Sequence, residues 1–145
     1  LGRARALKVP VIHIQHDAGP GSPYDIAAES GAIADKLKPA EGEAVVVKHY
    51  PNAFVDTDLD ARLKALGATR LVVAGFMTHM CINSTARGAF NLGYAVSVPA
   101  SATATRALPA PGGGTVSAEA LQTAALAALA DLFAVVVPAA ADIPD

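Results

Sequence analysis

LVVAGFMTHMCINSTAR, residues Leu71–Arg87, decides how the rest of the chain is read. Leu71–Ala74 is an unbroken apolar run, the pattern of a strand buried on both faces. Gly75 breaks the run and Phe76–Met80 make a short link. A helix is predicted from about Cys81 to Leu92, with Gly93 as its stop. Cys81 is the only cysteine in the sequence. The first turn of a helix presents unpaired N–H groups and a partial positive charge. That field favours thiolate over thiol and so makes sulfur a nucleophile near neutral pH. The same N–H groups suit an oxyanion formed when the sulfur attacks a carbonyl. A lone cysteine in an apolar chain is also, more simply, a small buried hydrophobe.

Outward from this stretch, strands and helices alternate. Towards the N-terminus, Arg3–Lys8 reads as a helix end and Val9–Gln15 as a strand, with Pro10 near its start where proline is tolerated. His13 alternates within that apolar run and reads as structural. His16 and Asp17 follow at the strand's C-terminal end, ahead of the Gly/Pro loop AGPGSPYD and weak helical character over Ala27–Leu37. Ligands of open α/β sheets bind at the C-terminal ends of strands, which makes His16 and Asp17 candidates for substrate contact. Glu43–His49 is the next strand, and Lys48 lies near its end. Burial opposes a lysine's charge, so a lysine closing an apolar strand is unusual. The alternative is a surface lysine whose stem covers apolar area. Phe54, on the loop that follows, is the apolar candidate for a pocket wall. Thr57 or Asp58 is placed to cap a helix over Leu59–Leu66, which Gly67 ends.

Towards the C-terminus, Asn83, Arg87 and Asn91 recur every four residues as a solvated stripe of the Cys81 helix. Tyr94–Val98 is a strand, Pro99–Leu108 a loop and PAPGGG a flexible stretch. Ser117 caps a long Ala/Leu helix to Phe133. Ala134–Pro138 is the last strand, before a loose tail. This alternation predicts an α/β fold with a mainly parallel sheet and right-handed crossovers.

Composition narrows the function. At 145 residues the chain fits one domain able to bury about two-thirds of its unfolded surface. A formal charge of −2 without a long basic run argues against a nucleic-acid partner. No stretch of about 18 uninterrupted apolar residues occurs, which argues against a membrane span. A single cysteine fits a reducing cytoplasm. Scattered histidines make no metal-ligand set, and no phosphate-binding glycine motif is present, so neither metal nor cofactor is expected.

Three stretches, GFMTHMCINSTARGAFNLGY (Gly75–Tyr94), VIHIQHDAGPGSPYD (Val11–Asp25) and VVVKHYPNAFVDTDLDARLKALG (Val45–Gly67), resemble the isochorismatase-like cysteine hydrolases, which include the nicotinamidases. SATATRAL at Ser101–Leu108 fits as well, and the G-x-x-T-x-x-C block at Gly75–Cys81 is the most specific part. The resemblance implies a three-layer α/β/α, Rossmann-like fold with one hydrolase domain over residues 1–145. It implies an Asp–Lys–Cys triad that hydrolyses a C–N bond in a small molecule through a thioester. Cys81 takes the nucleophile position and Lys48 the lysine position. The backbone N–H groups of Met77 and Cys81 would form the oxyanion hole, with a cis peptide at Phe76–Met77. Phe54, His16, Asp17 and Thr78 become the expected substrate contacts, and a homo-oligomer is the expected assembly.

The family's aspartate belongs to a D-x-Q-x-D motif on a first strand, and no such motif occurs here. Asp17 does not match it, and Ser101 stands where the family more often has Asp. The expectation is therefore a chain whose N-terminal strand and helix are missing. The alternatives are a shortened, inactive relative that binds a small ligand or assembles into oligomers, and an isochorismatase-type vinyl-ether hydrolase.

Overall fold

Alternating β-branched residues ahead of Asp17 form a strand in the computed structural model, which describes residues 1–143. The chain makes two compact units, Leu1–Gly67 and a second from Ala68 onward. In the first, helix α1 (Gly2–Ala6) precedes strand β1 (Ile12–His16), and strand β2 (Ala44–Lys48) pairs with β1 in parallel. The register runs from Ile12 opposite Ala44 to His16 opposite Lys48. His16 is thus the last residue of β1, one beyond the expected strand end at Gln15. A parallel pair needs a long crossover. Here it contains two short 3-10 turns, Glu29–Gly31 and Asp35–Leu37, in place of the weak helix expected over Ala27–Leu37.

Helix α2 (Leu59–Ala65) buries Leu59 and Leu63, one turn apart on one face. Of its two candidate caps, Asp58 holds the N-cap position without a side-chain capping bond, while Thr57 Oγ1 accepts from Leu59 N–H at 3.3 Å and donates to Ala53 O at 2.6 Å. Asp58 instead pairs with Arg62 at 2.8 Å. Gly67 closes the helix with a φ of 65°, a conformation that favours glycine.

A carboxylate clasp ties the start of this unit to β2. Arg5 Nε and Nη2 donate to the two oxygens of Glu43, each at 2.7 Å. His13 Nε2 lies 2.7 Å from Glu43 Oε2, and Ala40 N–H donates to the same oxygen at 2.9 Å. His13 is structural, as its place in the apolar run implies. The Arg5 guanidinium first, then Ala40 N–H and His13, hold the Glu43 carboxyl well below the usual carboxylate range. Such a depressed group contributes stability that is present above the unfolded value of about 4.3 and is lost as pH falls through the folded one. Glu43→Gln is therefore expected to lower the unfolding temperature at pH 7, with the gap to wild type narrowing below about pH 4. An equal gap at pH 3 and pH 7 would remove charge as the basis of the clasp.

In the second unit, strands β3 (Arg70–Val72), β5 (Ala95–Pro99) and β9 (Val135–Val137) form a parallel sheet in the order β3–β5–β9. Between β3 and β5 come strand β4 (Gly75–Phe76) and helix α3 (Asn83–Asn91); β6 (Thr103–Ala104) pairs with β4. The expectation that Leu71–Ala74 is buried on both faces is corrected: among the described residues β3 pairs with β5 alone, and Val72 is 53% exposed. The central strand is β5, whose Val96 and Val98 are buried. α3 packs on β5, and its Ala86 and Ala89 are fully buried.

The PAPGGG stretch is ordered. Strands β7 (Leu108–Pro109) and β8 (Thr115–Val116) pair antiparallel, and Ala110 N–H donates to Gly114 O at 3.1 Å across the turn. Gly113 and Gly114 supply the positive φ values, 93° and 79°, that the turn requires. Helix α4 (Ala118–Ala130) follows, capped as expected by Ser117, whose Oγ accepts from Ala120 N–H at 3.1 Å. Leu129 of α4 is fully buried.

Of the expected solvated stripe on α3, Asn91 is exposed, while Asn83 and Arg87 face α4 instead. Arg87 Nε donates to Asn83 Oδ1 at 2.7 Å, and Arg87 Nη2 reaches Ala128 O at 3.4 Å. Its guanidinium lies 3.9 Å from the centre of the Phe133 ring, a cation–π contact that uses the stripe to join two helices. After β9, Ala140–Asp142 forms a 3-10 turn in which Asp142 accepts from Ala139 N–H at 2.9 Å, so this part of the tail is not loose. Pro144 and Asp145 lie outside the described residues. Among the described residues, no helix is long and apolar enough to cross a membrane.

Candidate active site

The C-terminal ends of β1 and β2 bring three of the expected site residues together: His16, Asp17 and Lys48. Parallel pairing places the last residues of the two strands side by side, His16 opposite Lys48. Lys48 is 3% exposed and is the one charged side chain in the buried class among the described residues. Its Nζ donates to Tyr50 O at 2.9 Å and lies 3.0 Å from His16 Nδ1. An ammonium only donates, so His16 Nδ1 is the acceptor and the ring proton sits on Nε2. The Tyr24 ring packs edge-on against His16 with centroids 5.3 Å apart. Burial first, then the positive charge of Lys48 and the neighbouring His49, push His16 below its ordinary value, while Asp17 pulls it up.

Asp17 is committed to the loop. Its N–H donates to Lys48 O at 2.9 Å, its Oδ1 accepts from Gly19 N–H at 2.9 Å, and its carbonyl lies 2.9 Å from His49 Nδ1. Phe54 is half-buried on the loop after β2, where its N–H donates to Asn52 Oδ1 at 3.0 Å. An open cavity of about 480 Å³ in this unit lies at the other end of the strands, lined by Arg5, Val9, Pro10, Ile12, Glu43 and Leu66 among others. Its position separates it from Lys48 and His16.

The second unit holds Met77, Thr78 and Cys81. The Phe76–Met77 peptide is cis, at the place the resemblance implies. The helix expected from Cys81 begins earlier, with a π-helical turn over Thr78–Ile82 that continues into α3. Met77 O accepts from both Met80 N–H at 3.0 Å and Ile82 N–H at 3.2 Å, which widens the turn around Cys81. Cys81 therefore lies inside a helical turn, half-buried, rather than at a helix start. Thr78 is fully buried, and its Oγ1 has no partner among the described residues.

His79, which the sequence reading did not assign, bonds through Nδ1 to Thr105 Oγ1 and so fastens the turn to the SATATRAL segment. Gln122 of α4 reaches the same segment, donating to Thr103 Oγ1 at 2.9 Å. Neither tether had a local signal, because the partners are far apart in sequence. Among the described residues no cluster of three or more His, Cys, Asp or Glu side chains is gathered to hold a metal ion.

Comparison with known proteins agrees with these local features. The isochorismatase domain model matches residues 1–141. The secreted isochorismatase effector Isc1 of Verticillium dahliae is 37% identical over 138 residues, covering 94% of this chain and 70% of the effector. A streptothricin hydrolase of Streptomyces noursei is 38% identical and covers 99% of this chain, which spans 52% of that enzyme. A ureidoacrylate amidohydrolase of Pseudomonas savastanoi is 32% identical, covering 69% of this chain and 53% of its own length. Among solved structures, an isochorismatase from Pseudomonas putida superposes with a TM-score of 0.93 at 37% identity, over 98% of this chain and 73% of that one. A cysteine hydrolase from Pseudomonas syringae gives 0.86 at 29% identity, over 94% and 71%. These superpositions show the isochorismatase-like α/β/α fold class. With its parallel strands, its cysteine turn and nearly its whole length matched, the chain belongs to the isochorismatase family.

Proposed function

We propose that this chain forms one hydrolase domain that cleaves a C–N bond of a small amide through Cys81. The observation that carries the proposal is the burial of Lys48, a cation kept at the C-terminal edge of a parallel pair and hydrogen-bonded to His16 and to Tyr50 O. Burying an ammonium costs several kcal/mol, so fold stability alone gives no reason to keep one there. A positive charge that stabilises a thiolate does give a reason.

In this reading the Cys81 sulfur attacks the amide carbonyl, and the carbonyl oxygen takes the negative charge while Met77 and Cys81 N–H groups donate to it. Collapse breaks the C–N bond, the nitrogen takes a proton from water and leaves as ammonia or an amine, and a thioester remains on Cys81, which water cleaves to the free acid and the restored thiol. The reading assigns no proton carrier to a residue of this sequence, because no D-x-Q-x-D motif occurs in it. Amide chemistry is preferred to vinyl-ether chemistry because thioester formation needs a carbonyl carbon, and the amidohydrolase relative acts on a C–N bond by its name.

The test combines turnover with intact mass. A panel of small primary amides should release ammonia, and protein quenched during turnover should carry one acyl group on Cys81. Ammonia release without any covalent adduct under fast quench, together with a Cys81 no more reactive to iodoacetamide at pH 6–7 than a cysteine peptide, would overturn the nucleophile assignment.

A further inference from the structure

His16, an expected substrate contact, is also tied to Lys48. It faces Lys48 across the β1–β2 ladder, and its Nδ1 is occupied by the Lys48 ammonium at 3.0 Å. Another partner of that ammonium, Tyr50 O at 2.9 Å, is a backbone carbonyl that does not titrate near neutral pH. The His16 ring is itself braced by the edge-on ring of Tyr24, with an interplanar angle of 83°. We propose that His16 is a positioning residue: its neutral Nδ1 aims the Lys48 ammonium, and protonation of His16 in acid releases Lys48 and switches its effect on Cys81 off. The inference rests on the role given to Lys48 above.

The physical basis is the loss of a lone pair. A protonated imidazole has two N–H donors and no acceptor, so a charge-assisted hydrogen bond would become a contact between like charges. Those charges would sit about 3 Å apart at a partly desolvated strand end. The charged and titratable groups around the ring are Lys48 and His49 from the end of β2, Asp17 next in the chain, and Tyr24 from the loop. Burial, Lys48 and His49 favour the neutral ring, and Asp17 opposes them. The accepting form therefore persists through neutral pH and is lost only on acidification.

The test uses the full chain, with ¹⁵N NMR of the imidazoles and the pH profile of Cys81 alkylation by iodoacetamide. His16 should show the Nε2–H tautomer, and Lys48→Met should move its titration midpoint part of the way up towards the ordinary value of about 6.5. His16→Ala should slow alkylation at pH 7 by about tenfold, the size of one lost charge-assisted hydrogen bond. His16→Asn, whose Oδ1 accepts but does not titrate, should recover part of that loss, and its profile should lack the acid limb that follows His16. An Nδ1–H tautomer, a midpoint unmoved by Lys48→Met, or an acid limb retained in His16→Asn would each overturn the proposal. Failure of the thiolate reading has a different signature: Lys48→Met would leave alkylation unchanged at every pH while His16 keeps its Nε2–H tautomer.

Discussion

Cys81→Ala is expected to abolish amide hydrolysis, lowering kcat by roughly 10⁴- to 10⁶-fold, the range found when a covalent nucleophile is removed and only binding and oxyanion stabilisation remain. The effect is large because the thioester route disappears with the sulfur. The fold should change little. Cys81 is half-buried, so the substitution removes one atom from a site with some access to solvent, and stability should stay within about 1 kcal/mol of wild type. Thermal unfolding monitored beside ammonia release separates the two effects. Substantial residual turnover in folded Cys81→Ala would show that the sulfur is not the nucleophile. The same variant distinguishes an active hydrolase from an inactive relative: in an inactive relative it would leave binding of the ligand unchanged, and wild type would form no acyl adduct.

Lys48→Met should slow alkylation of Cys81 at pH 7 by about tenfold or more, since the role proposed for Lys48 is to favour the thiolate by its charge. Methionine approximates the lysine stem in volume and removes the charge. Replacing a buried ion by an apolar side chain of similar size is often neutral or stabilising, because the desolvation cost goes with the charge. The unfolding temperature should therefore hold or rise while thiol reactivity falls. Tyr50 is exposed, so its carbonyl can turn to water when Nζ is gone. A fall in stability with unchanged alkylation would instead make Lys48 a structural residue and remove it from the site.

Much of this protein was legible residue by residue, because the signals are local. Apolar runs and turn residues placed the first two strands to within one residue of their C-terminal ends, the helix capped by Ser117, and the stop at Gly67. The G-x-x-T-x-x-C block pointed to Cys81, and the lysine closing an apolar strand pointed to Lys48. Other features depended on packing between distant segments. Leu71–Val72 has the composition of a buried strand, yet among the described residues β3 pairs with β5 alone and Val72 is exposed. Asn83, Arg87 and Asn91 have the spacing of a solvated stripe, yet the carbonyls of α4 and the ring of Phe133 take up Arg87. The π-helical turn around Cys81 shifts hydrogen bonding by one residue, a change that leaves no mark on hydrophobic periodicity.

The amino-acid sequence by itself determined the parallel α/β character, the family, and the two residues on which the proposed chemistry rests. The tertiary structure alone decided how those residues are held. Lys48 and His16 are 32 positions apart, and only the register of two parallel strands brings an ammonium to an imidazole nitrogen. Composition specifies which groups are able to bond, whereas chain topology selects which of them meet.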